Sequence, residues 1–336
     1  MKNIKSIIIF ILIFIFTFTI PAISKSIQPV NYPDILENVY QEYKDLDYGN
    51  NADYIPELAK VPSDLFGITL VTVDGNSYDS GDTQYKFSIQ SVSKVFTLAK
   101  VMDNIGSKAI FEKIGAKATG RPFNSIIAIE DMGGSPSNPL VNAGAIATTS
   151  LISGKSKEEK WQSIISTFQQ FAGNDLEVNQ PVYKSESETN QRNQAIAKLL
   201  ESYGKIYASP VETVDLYTRQ CAVNVSAHDL GVMAATLANG GVNPITGNKV
   251  VNCSVVPHVL AVMATAGMYD ESGPWLYSVG LPGKSGVGGG IIAVAPGKYG
   301  IAAFSPRLNK SGNSIKAIMA IKAITKKLKS NIFLKN

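Results

Sequence analysis

Strand-like runs stand near both ends of this 336-residue chain, and no other feature limits its possible folds as strongly. Residues 67–73 lead through the turn Asp74-Gly75-Asn76 into a second short strand, which is a hairpin pattern. Residues 291–295 and 300–305 flank a second turn, Pro296-Gly297-Lys298. The region between the two pairs is mostly helical in pattern. This order predicts an α+β fold with one antiparallel sheet built from both chain ends and flanked by helices, plus a central helical lobe.

Capping residues place the starts of two helices. Ser209 stands before Pro210 and three residues before Glu212, and Ser226 stands three residues before Asp229. Apolar spacing predicts further helices from Pro33-Asp34 and over 157–171, 190–203, 254–268 and 314–328. We expect a sheet lobe of about residues 25–90 and 280–336 and a helical lobe of about residues 91–279.

The first residues have the pattern of an export signal. Lys2 and Lys5 precede an apolar run of about 14 residues that ends at Pro21-Ala22-Ile23-Ser24. The run is shorter than the roughly 20 residues that span a bilayer as a helix. We therefore expect residues 1–24 to be a signal peptide, cleaved near Ser24, and the remaining chain to be periplasmic or secreted. The alternative is a membrane anchor formed by an uncleaved leader.

Composition indicates a globular protein and excludes one class of partner. Hydrophobic residues make up 45% of the chain and charged residues 17%, which suits a large buried core. The net charge of +4 falls to +2 without Lys2 and Lys5. No dense Lys/Arg patch with interleaved aromatic residues remains, so we expect no nucleic-acid partner.

Cysteine and histidine are too scarce to organise the fold or a metal site. Cys221 and Cys253 stand in apolar surroundings, which favours buried free thiols; one disulfide in an oxidising compartment is the alternative. His228 and His258 belong to no C-x-x-C or H-E-x-x-H pattern, so we expect no metal. His228 lies in the predicted first turn of a helix, which favours a surface residue over a member of a Ser-His-Asp triad.

The candidate chemistry begins in the segment 87–94, which runs from a strand-like approach into a helical pattern. Its Ser91 and Lys94 are three residues apart, so they lie one turn apart on a helix. A serine hydroxyl is a poor nucleophile until a base takes its proton. A lysine desolvated by Val95 and Phe96 can lose its charge and act as that base. The alternative is a chance S-x-x-K on a solvated helix face.

A second candidate segment, Lys284-Ser285-Gly286, directly precedes the returning strands. We expect it on the sheet edge, facing the cleft in which Ser91 lies, where it can offer a backbone N–H and a cation to a bound anion. The alternative is an ordinary glycine-rich turn. The segment is not a Walker loop, because Ser278 stands where the first glycine is required, and it does not match a dinucleotide fingerprint.

These two segments together resemble the serine β-lactamase and penicillin-binding protein superfamily. S-x-x-K opens a helix, and K-S-G follows about 190 residues later on a strand. The chain has no S-D-N and no E-x-x-L-N. The resemblance therefore implies a serine β-lactamase-like fold and acyl-serine chemistry, but not a lactam substrate.

A closer resemblance, to the serine-dependent glutaminase family, covers nearly all of the chain after the leader. The segments that carry it are 54–59 (YIPELA), 72–75 with 81–82, 87–94 (FSIQSVSK), 123–125 (FNS), 138–146 (NPLVNAGAI), 185–186 with 192–193, 217 with 220–221, 233–241, 267–270 and 280–287 (GLPGKSGV). One departure is local: Lys117-Ala118-Thr119-Gly120 stands where the family usually shows E-P-S-G. We interpret it as a changed loop in one wall of the site.

The resemblance implies a role for each site residue. Ser91 attacks the side-chain amide of L-glutamine with Lys94 as base, backbone N–H groups of Ser91 and Val287 hold the oxyanion, and Tyr269 passes a proton to departing ammonia. The residues implied in substrate binding are Tyr54, Gln90, Ser91, Asn142, Glu186, Asn193, Tyr217, Tyr269 and Val287. No cofactor is implied. The family resemblance also implies a homo-oligomer, either a dimer or a tetramer.

Two other functions compete with a glutaminase. One is a β-lactam-reactive serine hydrolase of the same fold, against which Glu186 and Asn193 argue. The other is a non-catalytic binding protein that keeps the glutamine pocket, against which the intact Ser91, Lys94 and Tyr269 argue.

Overall fold

The computed structural model describes residues 30–334, so the predicted leader, residues 1–24, lies outside the described part of the chain. The strands are β1 Gly67–Thr72, β2 Ser77–Gly81, β3 Phe87–Ser88, β4 Asn224–Val225, β5 Gly283–Ser285, β6 Gly290–Ala295 and β7 Tyr299–Phe304. Five of them form an antiparallel sheet in the order β2-β1-β7-β6-β5, and β3 pairs with β4 in a separate ladder.

Helices make up most of the rest of the described chain. They are α1 Tyr32–Tyr43, α2 Pro56–Ala59, α3 Ser93–Ile105, α4 Ser107–Lys113, α5 Ile127–Asp131, α6 Asn142–Thr149, α7 Lys157–Ala172, α8 Gln180–Thr189, α9 Gln191–Ser202, α10 Pro210–Cys221, α11 Ala227–Ala238, α12 Val256–Ala266, α13 Ser272–Val279 and α14 Ile315–Lys327. Ser209 and Ser226 cap α10 and α11 as predicted, by accepting the N–H groups of Glu212 and Asp229. None of the helices within residues 30–334 combines the length and the apolar character needed to cross a bilayer.

The two ends of the chain meet in the middle of the main sheet. Strand β1 of the N-terminal hairpin pairs with β7, so that Gly67 lies opposite Phe304 and Thr72 opposite Tyr299. The prediction of one antiparallel sheet built from both ends is confirmed. Strand β5 forms an edge of this sheet, which is where Lys284-Ser285-Gly286 was expected.

The sheet is buried on both faces because its apolar side chains alternate. Leu70 and Ile301 point into a core shared with α1, α13 and α14, whereas Ala302 and Phe304 point into a core shared with α11 and the central helices. Helix α11 lies within the range predicted for the helical lobe, yet it packs directly on the sheet. A Cβ added at Gly300 of β7 would lie 2.1 Å from the backbone of α11.

The central helices enclose a separate part of the core around α3. Phe96 of α3 packs against Phe171 of α7 with ring centres 5.0 Å apart, and both side chains are fully buried. This packing fixes the start of α3, and with it the position of Ser91 and Lys94.

The two cysteines differ in their surroundings. Both are free, as expected, but only Cys221 is buried. The prediction that both thiols are buried is wrong for Cys253, which is exposed in the turn that precedes α12. Its apolar neighbours in the sequence, Val250, Val251 and Val255, turn toward the core and leave the cysteine outside.

Candidate active site

Ser91 lies on the short 3₁₀ turn Gln90–Val92, which joins strand β3 to helix α3. The chain enters this turn at Ile89, whose N–H donates to the Val223 carbonyl at 2.8 Å. Gln90 adopts a left-handed backbone conformation with φ of 48°, and the Ser93 hydroxyl closes the turn by donating to the Gln90 carbonyl at 2.6 Å. Such a conformation is unfavourable for a residue with a Cβ, and strain of this kind concentrates at functional sites.

Lys94 lies on the first turn of α3 and is only 1% exposed. Its ammonium group donates to Asn142 Oδ1 at 2.7 Å and lies 5.7 Å from the centre of the Tyr217 ring. Because burial strips water from the charged form, the pKa of Lys94 falls from 10.5 to about 8. This burial excludes the interpretation of S-x-x-K as a solvated helix face.

Asn142, at the start of α6, connects Lys94 to the opposite wall. Its Oδ1 accepts hydrogen bonds from Lys94 and, at 3.2 Å, from the Tyr217 hydroxyl. Its Nδ2 donates to Asn193 Oδ1 at 2.9 Å. Both ends of this buried amide are therefore bonded, as an amide set among small apolar residues requires.

Glu186 of α8 brings a carboxylate into the same site and is 7% exposed. Gln90 Nε2 donates to its Oε2 at 3.3 Å. Burial raises the pKa of Glu186 from 4.5 to about 7, against the opposing effects of the Gln90 hydrogen bond and the charge of Lys94. A carboxylate with so few protein donors keeps acceptor capacity for a bound cation.

The segment after β5 brings a backbone donor close to Ser91. A Cβ at Gly288 would lie 2.4 Å from the Ser88 carbonyl oxygen, so glycine is needed for this close approach. Val287 lines the same cavity as Ser91, and its N–H makes no hydrogen bond within residues 30–334. A free N–H at this place can stabilise negative charge on a bound oxygen.

Tyr269 lies beside Ser91, on the turn that follows α12. Its hydroxyl donates to the Ser285 carbonyl at 3.1 Å, and the Ser91 side chain is close enough to oppose part of the rise in the pKa of Tyr269. Burial raises the pKa of Tyr269 well above 10, so the phenol keeps its proton at neutral pH.

Lys284 lies on the edge strand β5, as expected. Its side chain is fully buried, with the ammonium 4.4 Å from the centre of the Tyr269 ring and hydrogen-bonded to the Ser285 carbonyl. Burial lowers its pKa well below 10.5. Lys284 is not among the residues that line the cavity with Ser91, so its contact with a bound anion stays a prediction.

One cavity of about 280 Å³ joins these groups. The predicted residues that line it are Tyr54, Gln90, Ser91, Asn142, Glu186, Asn193, Tyr217 and Val287. Lys94 and Tyr269 are not among the lining residues, and Tyr54 is half exposed. The lining residues that the prediction missed are Phe123, Asn124, Thr189, Asn190 and Arg192. Three of these, Phe123, Asn124 and Arg192, belong to the motifs quoted above, which was the signal available to find them.

The histidines lie away from this cavity. His228 Nδ1 contacts Asp79 Oδ2 at 3.1 Å, between the first turn of α11 and strand β2. The structure thus places His228 in the first helical turn, as predicted. Within residues 30–334, His, Cys, Asp and Glu side chains form no group of three or more that could hold a metal ion.

Known protein sequences show the same pattern along almost the whole chain. A sequence profile of the glutaminase family matches residues 49–333. The glutaminase of Colwellia psychrerythraea is 52% identical over 310 residues, which cover 92% of this chain and 100% of that protein. Glutaminase 1 of Escherichia coli K12 is 49% identical over 298 residues, which cover 89% of this chain and 96% of that protein.

Solved structures agree with the sequence matches. The probable glutaminase ybaS superposes with a TM-score of 0.89 at 48% identity, over 90% of this chain and 98% of that one. A probable glutaminase from Bacillus subtilis, complexed with 6-diazo-5-oxo-L-norleucine, superposes with a TM-score of 0.82 at 30% identity, over 90% of this chain and 97% of that one. These matches confirm the predicted serine β-lactamase-like α+β fold. Their extent and identity show that the chain belongs to the glutaminase family.

Proposed function

We propose that the protein hydrolyses L-glutamine to L-glutamate and ammonia through a glutamyl-serine intermediate. The observation that carries the proposal is one cavity lined by both Ser91, which precedes the buried Lys94 by one helical turn, and the buried carboxylate of Glu186. Membership of the glutaminase family makes the chain a hydrolase that acts on an amide. The compound in the Bacillus subtilis structure is an L-amino acid with a carbonyl at its fifth carbon, where glutamine carries its amide carbonyl.

In the first step, neutral Lys94 takes the Ser91 proton while the serine oxygen forms a bond to the amide carbon. Lys94 is suited to this task because its pKa of about 8 leaves a substantial neutral fraction near neutral pH. The backbone N–H groups of Ser91 and Val287 stabilise the oxyanion that forms; a fixed donor of this kind contributes about 3 to 4 kcal/mol.

The tetrahedral intermediate then collapses and the carbon–nitrogen bond breaks. Tyr269 is suited to pass a proton to the departing nitrogen, because its hydroxyl is protonated at neutral pH and lies beside Ser91. The proton that Lys94 took from Ser91 then replaces it on Tyr269, which leaves Lys94 neutral again. Ammonia leaves, and the glutamyl group remains on Ser91 as an ester. A water molecule, deprotonated by the same groups, attacks the ester carbon, which releases glutamate and returns the proton to Ser91.

Glu186 in its ionised form binds the substrate ammonium. The amide and hydroxyl groups of Gln90, Asn142, Asn193 and Tyr217 complete the pocket, and Tyr54 covers its rim. These groups lie on elements other than the Ser91 turn, Gln90 excepted, so binding and chemistry can be separated by mutation.

The proposal is tested by release of glutamate and ammonia from L-glutamine by the purified protein. We expect Ser91→Ala to lower kcat by a factor of at least about 10⁴ and to keep L-glutamate binding by calorimetry. Ser202→Ala, at an exposed serine at the end of α9, is the matched control and should leave turnover unchanged. Wild-type turnover in Ser91→Ala would refute the serine mechanism.

The same preparation separates the two rival functions. A β-lactam-reactive enzyme would acylate Ser91 with a penicillin, which mass spectrometry of the intact protein detects. A binding protein would bind glutamine without releasing ammonia.

Export and assembly are two further parts of the proposal, and they stay predictions. N-terminal sequencing of protein from its native host should find a start near Lys25; a chain with Met1 in the soluble cytoplasm would contradict export. Light scattering of the purified protein should give the mass of a dimer or tetramer.

A further inference from the structure

Arg192 lines the cavity at the start of α9, and although it belongs to one of the family motifs, no role was assigned to it from the sequence. We infer that Arg192 determines specificity by binding the α-carboxylate of the substrate, opposite the carboxylate of Glu186 that binds its ammonium. This inference rests on the proposed hydrolysis of free glutamine.

The charges of the cavity lining support this assignment. Within the described part of the chain, Glu186 and Arg192 are the two charged side chains among the lining residues. Lys94 donates to Asn142 and Lys284 lies against the Tyr269 ring, and neither lysine is among the lining residues. A free amino acid carries one ammonium and one carboxylate. The lining offers one partner for each, so the pair of charges matches a zwitterion.

The hydrogen bonds of Arg192 leave its carboxylate-binding atoms available. Its Nε donates to the Asn124 carbonyl at 2.7 Å, and this contact holds the guanidinium against another lining residue. Among residues 30–334, neither terminal nitrogen of Arg192 has a hydrogen-bond or ion-pair partner. The fork of guanidinium N–H donors matches the two oxygens of a carboxylate. The first N–H groups of α9, which lacks a side-chain cap, add to the preference for an anion at the same place.

A purely structural role for Arg192 is the competing explanation. Its bond to Asn124 helps to hold the wall at residues 123–124. That wall has other supports, since the Asn142 N–H donates to the Phe123 carbonyl at 2.8 Å and the Phe123 ring lies 4.8 Å from the Tyr269 ring. Loss of a structural support would impair the reaction of every substrate alike, whereas loss of a carboxylate contact would impair only substrates that have the carboxylate.

Two substrates separate these roles: L-glutamine and its α-carboxamide, which keeps the ammonium and the side-chain amide but lacks the carboxylate. Product identity is checked by chromatography, because either amide of the second compound could release ammonia. We expect the wild-type kcat/KM to favour glutamine by about 10- to 100-fold, the factor that a charge-assisted hydrogen bond supplies. Arg192→Gln should raise KM for glutamine by a similar factor, with a smaller change in kcat, and should barely affect the α-carboxamide.

Two further variants serve as controls. Arg192→Lys keeps a positive charge without the guanidinium fork and should keep part of the preference. Lys198→Gln removes one positive charge from the same helix outside this cavity, where Lys198 pairs with Glu201, and should leave the preference unchanged.

Equal decreases in kcat/KM for both substrates in Arg192→Gln would overturn the inference and leave Arg192 with a structural role only. Calorimetry in a Ser91→Ala background gives a second readout that needs no turnover: glutamine should bind more tightly than its α-carboxamide, and Arg192→Gln should remove the difference. Equal or absent binding of the two compounds would also overturn the inference. Failure of the proposed function has a different signature, because tight and carboxylate-dependent binding would persist in a wild-type protein that releases no glutamate.

Discussion

The variant Asn142→Asp tests how the site keeps Lys94 able to accept a proton. It replaces the neutral amide oxygen that lies 2.7 Å from the Lys94 ammonium with a carboxylate oxygen of nearly the same size. In the wild-type protein, burial lowers the pKa of Lys94 to about 8. A carboxylate at this position stabilises the ammonium form, so the pKa of Lys94 rises.

The structure sets the size of this effect. Two unit charges 2.7 Å apart interact by about 6 kcal/mol at an effective dielectric constant of about 20, which is an upper bound. Desolvation of the new carboxylate offsets part of this energy, and an adjacent opposite charge usually shifts a pKa by about 1 to 3 units. Because only the neutral amine can take the Ser91 proton, kcat/KM at neutral pH should fall by about 10- to 1000-fold.

The assay is the pH dependence of kcat/KM for L-glutamine. In Asn142→Asp the rising limb near pH 8 should move to higher pH, so that activity recovers as the pH is raised. Asn193→Asp is the matched control, because it introduces the same charge on a residue that hydrogen-bonds Asn142 rather than Lys94, and its limb should move less. A loss by the same factor at every pH, with the limb unmoved and the thermal stability intact, would refute Lys94 as the titrating base.

Three other predictions follow from particular residues. Glu186→Gln should lower kcat/KM at least about a hundredfold by leaving the substrate ammonium unpaired. Below pH 7 the wild-type activity should fall with two protonations, of Lys94 and Glu186, and that of the variant with one, so an unchanged slope in steady-state kinetics would contradict the role. Asp79 raises the pKa of His228 above 6.5, so the pair contributes stability that is fully present below pH 6.5 and is lost as pH rises through the raised pKa. His228→Gln should therefore lower Tm at pH 6 and lower it much less at pH 9. Equal decreases in Tm at the two pH values would argue against the ion pair. Gly300→Ala should lower the free energy of unfolding by about 1 to 3 kcal/mol, because the added Cβ would lie 2.1 Å from the backbone of α11. Gly273→Ala, in a helix with open space around it, is the control and should be neutral or slightly stabilising. Denaturant titrations measure both changes.

Local chemistry explains what could be predicted without coordinates. A hairpin turn, a serine cap or a three-residue helical spacing depends on a few neighbouring residues, and the sequence states these directly. The caps at Ser209 and Ser226, the sheet from both chain ends and the one-turn spacing of Ser91 and Lys94 all follow from such signals. The motifs quoted for the glutaminase resemblance added the more distant members of the cavity, such as Glu186 and Asn193.

Burial and orientation were decided only by the packing of distant elements. The lowered pKa of Lys94 comes from desolvation by helices that the chain reaches many residues later, and its partner Asn142 lies 48 positions away. The same packing buried Lys284 fully and left Cys253 exposed, although the apolar neighbours of Cys253 predicted a buried thiol. Arg192 shows the limit most clearly: its side chain is exposed, as its local sequence predicts, and only the fold places it in the lining of the cavity that holds Glu186. The sequence therefore determined which groups are present and how near neighbours along the chain are arranged. The tertiary structure decided which of them are buried close together, and desolvation of the buried groups sets their charge and reactivity.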